Sequence, residues 1–159
     1  VRAFVGVGAN LGDARAQVTG GLAALGSLPS TQLLARSSLY ASAPLDAAGP
    51  DYVNAVAELA TTLPAPELLR ELQAIEARHG RVRSSRNAPR TLDLDLLLYG
   101  EQRSDDPLLR LPHPRLHLRA FVLEPLLELA PRLQVDGLGA LSSWLPSVRD
   151  QRIRRLDEA

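Results

Sequence analysis

The stretch NAPRTLDLDLLLYG, Asn87 to Gly100, holds the residues best suited to chemistry, with Asp93 and Asp95 two positions apart in a run of leucines. On an extended strand this spacing puts both carboxylates on one side, their Cα atoms roughly 6 to 7 Å apart. Carboxylate oxygens so placed can hold one or two hard divalent cations without leaving the sheet. A solvated strand face backed by core leucines explains the same alternation. Two like charges side by side repel, however, and a cation between them removes the conflict.

Upstream, Arg81, Arg83, Arg86 and Arg90 follow Arg78 and His79, and no acid occurs between Glu76 and Asp93. A cationic loop joined to an acid pair suits a bound polyphosphate such as MgATP, whose charge both elements neutralise. The structural alternative is a surface loop whose arginines pair with acids elsewhere. Downstream, LPHPRLHLRAFVLEP holds His113 between two prolines that restrict its backbone, followed by His117, Arg119 and the flat ring of Phe121. The early GVGANLGD lacks the GK[ST] ending of a phosphate-binding P-loop, and its glycines have the wrong spacing for a dinucleotide fingerprint. It reads as a tight connection, with Asn10 stabilising the turn or approaching a ligand.

The elements that must position these groups follow from periodicity. Arg2 to Gly8 favours a strand, and Asp13 caps a helix over Ala14 to Leu28 on which Val18, Leu22 and Leu25 recur. Thr31 to Tyr40 reads as a second strand, followed by a loop with Ser42, Pro44 and Leu45. A third strand, Tyr52 to Thr62, carries Val53, Ala55, Ala57 and Leu59 on one face. Pro64 and Pro66 introduce a helix with Leu68, Leu69, Leu72 and Ile75 on one stripe, ending at Gly80. After an irregular loop over Arg81 to Pro89, Thr91 to Tyr99 forms a strand with Leu92, Leu94, Leu96 and Leu98 opposite the acids. A polar turn spans Gly100 to Pro107. A helix then runs from about Arg119 to Leu129, its Pro125 accommodated near the start or by a bend, and a short helix lies near Leu141 to Leu145. The end from Arg149 to Ala159 is expected to pack loosely. This order predicts one α+β domain over 1–159 with a mostly antiparallel sheet covered by helices on one or both faces.

Composition narrows the function. The 18 basic and 18 acidic residues cancel, which argues against a general polyanion binder, and every basic residue is Arg. With no Cys, disulfides, thiolate nucleophiles, Cys-rich zinc sites and iron–sulfur clusters are excluded. The aliphatic runs are too short to cross a bilayer, so a soluble cytoplasmic protein without membrane or nucleic-acid partners is expected. An RNA-binding α+β module is the main rival from another class. An acid pair repels a nucleic-acid backbone, and such modules rely on sheet aromatics that are scarce here. A nucleotide-sensing domain that has lost catalysis is the second rival, which the retained acids and arginines oppose.

Along essentially its whole length the chain resembles the 6-hydroxymethyl-7,8-dihydropterin pyrophosphokinases of the folate pathway. PRTLDLDLLLYG is the most specific stretch, and GVGANLGD, SAPL, DYVNAV, IEARHGRVR and LPHPRLHLRAFVLEPL stand around it in the family order. The resemblance implies an α/β/α sandwich related to the ferredoxin-like arrangement. It implies transfer of the terminal diphosphate of ATP to the hydroxymethyl group of the reduced pterin, leaving AMP, by a magnesium-dependent monomer. By the same resemblance Asp93 and Asp95 are ligands of two magnesium ions. Arg81 and Arg90 contact phosphate, and Arg83 belongs to the same mobile loop. His113 and Arg119 contact ATP, and Glu76 borders the nucleotide. Ser42, Pro44, Leu45, Tyr52, Asn54 and Phe121 correspond to the pterin pocket, where two aromatic rings stack on the bicycle. Two departures stand out. Asn87 and Ala88 replace the Trp and Gly common before the PR pair, leaving the loop no indole to close with, and Ser42 replaces a common Thr but keeps a hydroxyl. The acceptor of the alcohol proton stays open among Asp95, solvent and a water held by magnesium.

Overall fold

A computed structural model describes residues 1–10, 12–43, 51–79 and 92–156. Its elements begin β1 (Arg2–Ala9), α1 (Ala14–Leu25), β2 (Thr31–Arg36), β3 (Tyr40–Ser42), β4 (Tyr52–Thr61), α2 (Ala65–Arg78) and β5 (Asp93–Tyr99). They continue β6 (Ser104–Asp106), β7 (Leu109–Leu111), α3 (Ala120–Leu129), β8 (Gln134–Val135), β9 (Gly139–Ala140), a 3₁₀ helix (Leu141–Val148) and β10 (Ile153–Arg155). The fold is mixed α/β around an antiparallel sheet.

Alternation sets the centre of that sheet. Ala3, Val5, Val7 and Ala9 of β1 are buried on one side, in one cluster with Ala55, Ala57 and Leu59 of β4 and Leu94 and Leu96 of β5. Leu22 and Leu25 of α1 and Leu68, Leu72 and Ile75 of α2 close over them. The intervening residues face a second cluster, in which Phe4, Val56, Leu97 and Leu98 meet Val122, Leu123 and Leu126 of α3 and Leu141 and Val148 of the 3₁₀ helix. Both faces of the sheet are thus covered by helix. The order is β10-β3-β4-β1-β5, with β2 also on β4. All its pairings are antiparallel.

Local chemistry accounts for the helix ends. The Asp13 carboxylate accepts the Ala16 N–H at 3.1 Å, a capping bond of about 1 kcal/mol. Helix α1 stops at Gly26, short of the expected Leu28. Pro64 and Pro66 frame the start of α2, where their fixed φ suits a first turn and their missing N–H costs nothing. Pro125 lies inside α3 and withholds an N–H from the Phe121 carbonyl.

Several expectations need correction. The leucines of β5 do not all face away from the acids. Val5 pairs with Leu96 and Phe4 with Leu98, so Leu97 is the extra residue of a bulge. Leu92, Leu94 and Leu96 stay in the first cluster, while Leu97 and Leu98 join the second. The strand expected over Thr31 to Tyr40 is two strands, β2 against the end of β4 and β3 against its beginning. Ser37 bridges the break, donating its N–H to the Val56 carbonyl at 2.8 Å and accepting the Val56 N–H on Oγ at 2.9 Å. The strand expected over Arg2 to Gly8 runs one residue further, to Ala9, so Gly6 and Gly8 both lie within β1, and Gly12, with φ of 64°, is the turn glycine. The polar turn after Gly100 contains the β6–β7 hairpin. In the terminal segment expected to pack loosely, β10 pairs with β3, and 157–159 lie outside the described residues.

Candidate active site

The sheet register assembles the site. Asp93 pairs with Gly8, and Gly8 pairs on its other side with Asn54. Asp95 pairs with Gly6, and Gly6 pairs with Val56. Since Val5, Val7, Ala55 and Leu94 point into the first cluster, these residues lie on the opposite face, the one that carries α3. Each acid therefore stands half-buried beside a strand position that has no side chain. Asn54 and Asp93 are two strand spacings apart, about 10 Å between Cα atoms.

Asn54 is buried, and the hydroxyl of buried Ser42 donates to its Oδ1 at 2.6 Å. With Oδ1 engaged, the carboxamide presents Nδ2 as a donor to a ligand acceptor. Half-buried Tyr52 begins β4 on the same face and pairs with Ser42. Beyond Gly8, Asn10 is 9% exposed and its Oδ1 is buried without a hydrogen-bond partner.

The outer edge of β5 carries two more groups. Glu76 is buried and accepts the Leu94 N–H at 2.8 Å, between the two acids along the strand. His113 donates its backbone N–H to the Leu97 carbonyl at 2.9 Å, so the LPHP segment is pinned where β5 bulges. The Arg115 N–H donates to His113 Nδ1 at 3.1 Å, which puts the proton of a neutral ring on Nε2. Burial, with the charges of Arg119 and Arg115, holds the imidazole below its ordinary pKa, and the opposing pull of Asp93 is smaller. Arg119 stands at the start of α3 with its guanidinium 5.3 Å from the centroid of the Phe121 ring.

The structure thus gathers Ser42, Asn54, Tyr52, Asp93 and Asp95 on one sheet face beneath the helix carrying Phe121, with Glu76 and His113 on the adjoining edge. Pro44, Leu45, Arg81, Arg83 and Arg90 lie outside the described residues, as do Asn87 and Ala88. His79 and His117 go elsewhere. His79 Nδ1 lies 3.0 Å from Gln17 Oε1 of α1, and His117 packs edge-on against Trp144 at 4.6 Å.

One anchor escaped the sequence reading. Glu128, on α3, accepts from the Tyr40 hydroxyl at 2.6 Å and the Ser38 N–H at 2.9 Å, and pairs with Arg155 of β10 at 3.1 Å. Burial alone would raise its carboxyl, but the bonds from Tyr40 and Ser38 and the Arg155 charge outweigh it and hold the pKa low. Tyr40 is raised in turn, by burial first and by its bond to that carboxylate. The signal was a Glu on the apolar helix pattern of α3, which one sequence does not connect to a strand 88 residues away.

Among the described residues no group of three or more His, Cys, Asp or Glu is placed to hold a metal. Asp93 and Asp95 alone suit a hard cation that completes its shell with water and phosphate oxygens, as Mg²⁺ does.

Fold and face together define the class, a mixed α/β domain built on an antiparallel sheet. Crystal structures of Plasmodium falciparum HPPK-DHPS share this fold. The wild type with pterin and p-hydroxybenzoate matches 92% of this chain and 41% of that one at TM-score 0.70 and 12% identity. The A437G form with SDX-DHP matches 92% and 42% at TM-score 0.70 and 10% identity. The chain thus spans about two fifths of those solved chains. The profile of the family described as 7,8-dihydro-6-hydroxymethylpterin-pyrophosphokinase (HPPK) matches residues 4–131. A 2-amino-4-hydroxy-6-hydroxymethyldihydropteridine pyrophosphokinase of Pseudomonas aeruginosa is 47% identical, over 99% of this chain and 98% of that one. One of the same name from Haemophilus influenzae is 39% identical over 99% of each. The chain belongs to the HPPK family.

Proposed function

We propose that this site transfers diphosphate from ATP to the hydroxymethyl group of 6-hydroxymethyl-7,8-dihydropterin, giving AMP and the pterin diphosphate. The observation that carries the reading is the register Asn54–Gly8–Asp93. It sets an amide that recognises a heterocycle about 10 Å from the acids, across a floor without side chains. A bicycle bound at Asn54 and Ser42, between Tyr52 and Phe121, extends its hydroxymethyl arm toward Asp93 and Asp95. Pro44 and Leu45 complete that pocket.

The alcohol oxygen forms a bond to the β-phosphorus as its O–H bond breaks and the proton passes ultimately to solvent, and the bond from that phosphorus to the α,β-bridging oxygen breaks, its electron pair leaving with AMP. Asp93 and Asp95 would hold the two magnesium ions, which would supply positive charge to neutralise the triphosphate. His113, neutral and donating from Nε2, and Arg119 bind the ATP phosphates, while Glu76 borders the nucleotide. Arg81 and Arg90, with Arg83 in the same loop, stabilise the charge that develops on the leaving oxygen. The chemistry is positioning and charge neutralisation, without a covalent intermediate on the protein. The same reading takes 1–159 as one α/β/α sandwich related to the ferredoxin-like fold, acting as a monomer.

Calorimetric binding of a non-hydrolysable ATP analogue tests the assignment of the acids. Magnesium is expected to tighten binding to the wild type and to have little effect on Asp93→Asn and Asp95→Asn. Equal magnesium dependence in all three would overturn it.

A further inference from the structure

We infer that Gly8 is a specificity-determining position for the pterin. Its missing side chain fixes where the Asn54 carboxamide stands, and with it the gap between the heterocycle and the acids. This rests on the site reading above.

A glycine inside a strand weakens it, so it calls for a reason. The backbone supplies none at Gly6 or Gly8, since neither is among the glycines with positive φ. Space distinguishes them. A Cβ on Gly6 would meet nothing closer than the Leu97 side chain at 3.6 Å, an ordinary contact. On Gly8 it would lie 3.0 Å from Asn54 Nδ2, with the Val53 carbonyl next at 3.8 Å. The atom it strikes is the donor that Asn54 offers to a ligand.

Asn54 has little freedom to yield. It is 5% exposed, and Ser42 holds its Oδ1 at 2.6 Å, so moving Nδ2 strains or breaks that bond. Gly8 also pairs with Asp93, so the place of Nδ2 over Gly8 fixes how far a heterocycle held by Asn54 stands from the acid. The preferred ligand is thus a flat heterocycle with an acceptor on its edge, lying close against the sheet, and a larger residue at this position selects against it.

The test is steady-state kinetics of Gly8→Ala, Asn54→Ala and the double variant, with binding of a non-hydrolysable MgATP analogue as a second readout. Gly8→Ala should raise the pterin KM by about tenfold, the effect of one misplaced hydrogen bond. The affinity for the MgATP analogue should stay within twofold. In the Asn54→Ala background the methyl has nothing to strike, so the same change should shift pterin KM by less than twofold. That pair of variants stays informative if Gly8→Ala alone does not fold. A pterin KM within twofold of wild type, or an equal penalty with and without Asn54, overturns the inference. If the wild type turns over while Gly8→Ala behaves like it, the Gly8 inference alone fails. A wild type that forms no AMP and pterin diphosphate overturns the functional reading and this inference together.

Discussion

Ser42→Ala isolates the bond that orients the Asn54 carboxamide. The serine and Asn54 are 4% and 5% exposed, and the hydroxyl donates to Asn54 Oδ1 at 2.6 Å. Removing it leaves a buried carbonyl oxygen unpaired, which costs about 1–3 kcal/mol. At about 2–4 °C per kcal/mol for a chain of this size, Tm should fall by about 2–12 °C. The amide then loses the preference that turns Nδ2 toward the ligand. If that preference equals one neutral hydrogen bond, about 0.5–1.5 kcal/mol, the pterin KM rises about 2- to 13-fold. Turnover at saturating pterin should hold, because the acids lie two strands away. Differential scanning calorimetry and initial-rate kinetics measure both effects on one preparation. A lower Tm with unchanged pterin KM would refute the orienting role, as would a fall in kcat at constant KM.

Three further outcomes follow. Asp95→Ala should keep its fold, because it relieves like-charge repulsion and opens no core cavity. Its turnover should drop by more than about a hundredfold, beyond the loss typical of partners that only orient a metal ligand, and normal turnover would exclude a metal role for the acid pair. In an NMR titration His113 should take up its proton at a pH below the ordinary 6.5, because burial and the two arginines disfavour the charged ring. Its neutral form therefore contributes stability that is present above the unfolded pKa and lost as pH falls through the folded value, and a midpoint at or above 6.5 contradicts this. Glu128→Gln should lower urea stability at pH 7, with the difference from wild type shrinking as pH falls below the ordinary carboxylate range. The depressed carboxyl stabilises the fold only while ionised, so a difference independent of pH would rule out its charge as the source.

The acid pair was legible because alternation with leucine is a local pattern, and the structure keeps both carboxylates on one face of β5. The Asp13 cap and the stripe of Leu68, Leu72 and Ile75 were legible for the same reason. Pairing was not, since it depends on residues far apart in the chain. The bulge at Leu97 is a register shift against β1, and nothing in the residue type marks it. The division of β2 from β3 depends on Ser37 serving Val56 with both its N–H and its hydroxyl, a bond 19 residues long in sequence. Gly6 and Gly8 were legible as strand residues, yet their place in the site comes from standing opposite Asp95 and Asp93, a pairing the sequence does not show. A two-residue spacing announces which side chains share a face, while the strand beside them decides what that face can hold.

The most direct measurement incubates the protein with magnesium, ATP and 6-hydroxymethyl-7,8-dihydropterin and resolves nucleotide and pterin products by mass spectrometry. AMP and pterin diphosphate should appear in equal amounts, and only with magnesium present. ADP with a pterin monophosphate, or no product from folded protein supplied with magnesium, would contradict diphosphate transfer at this site.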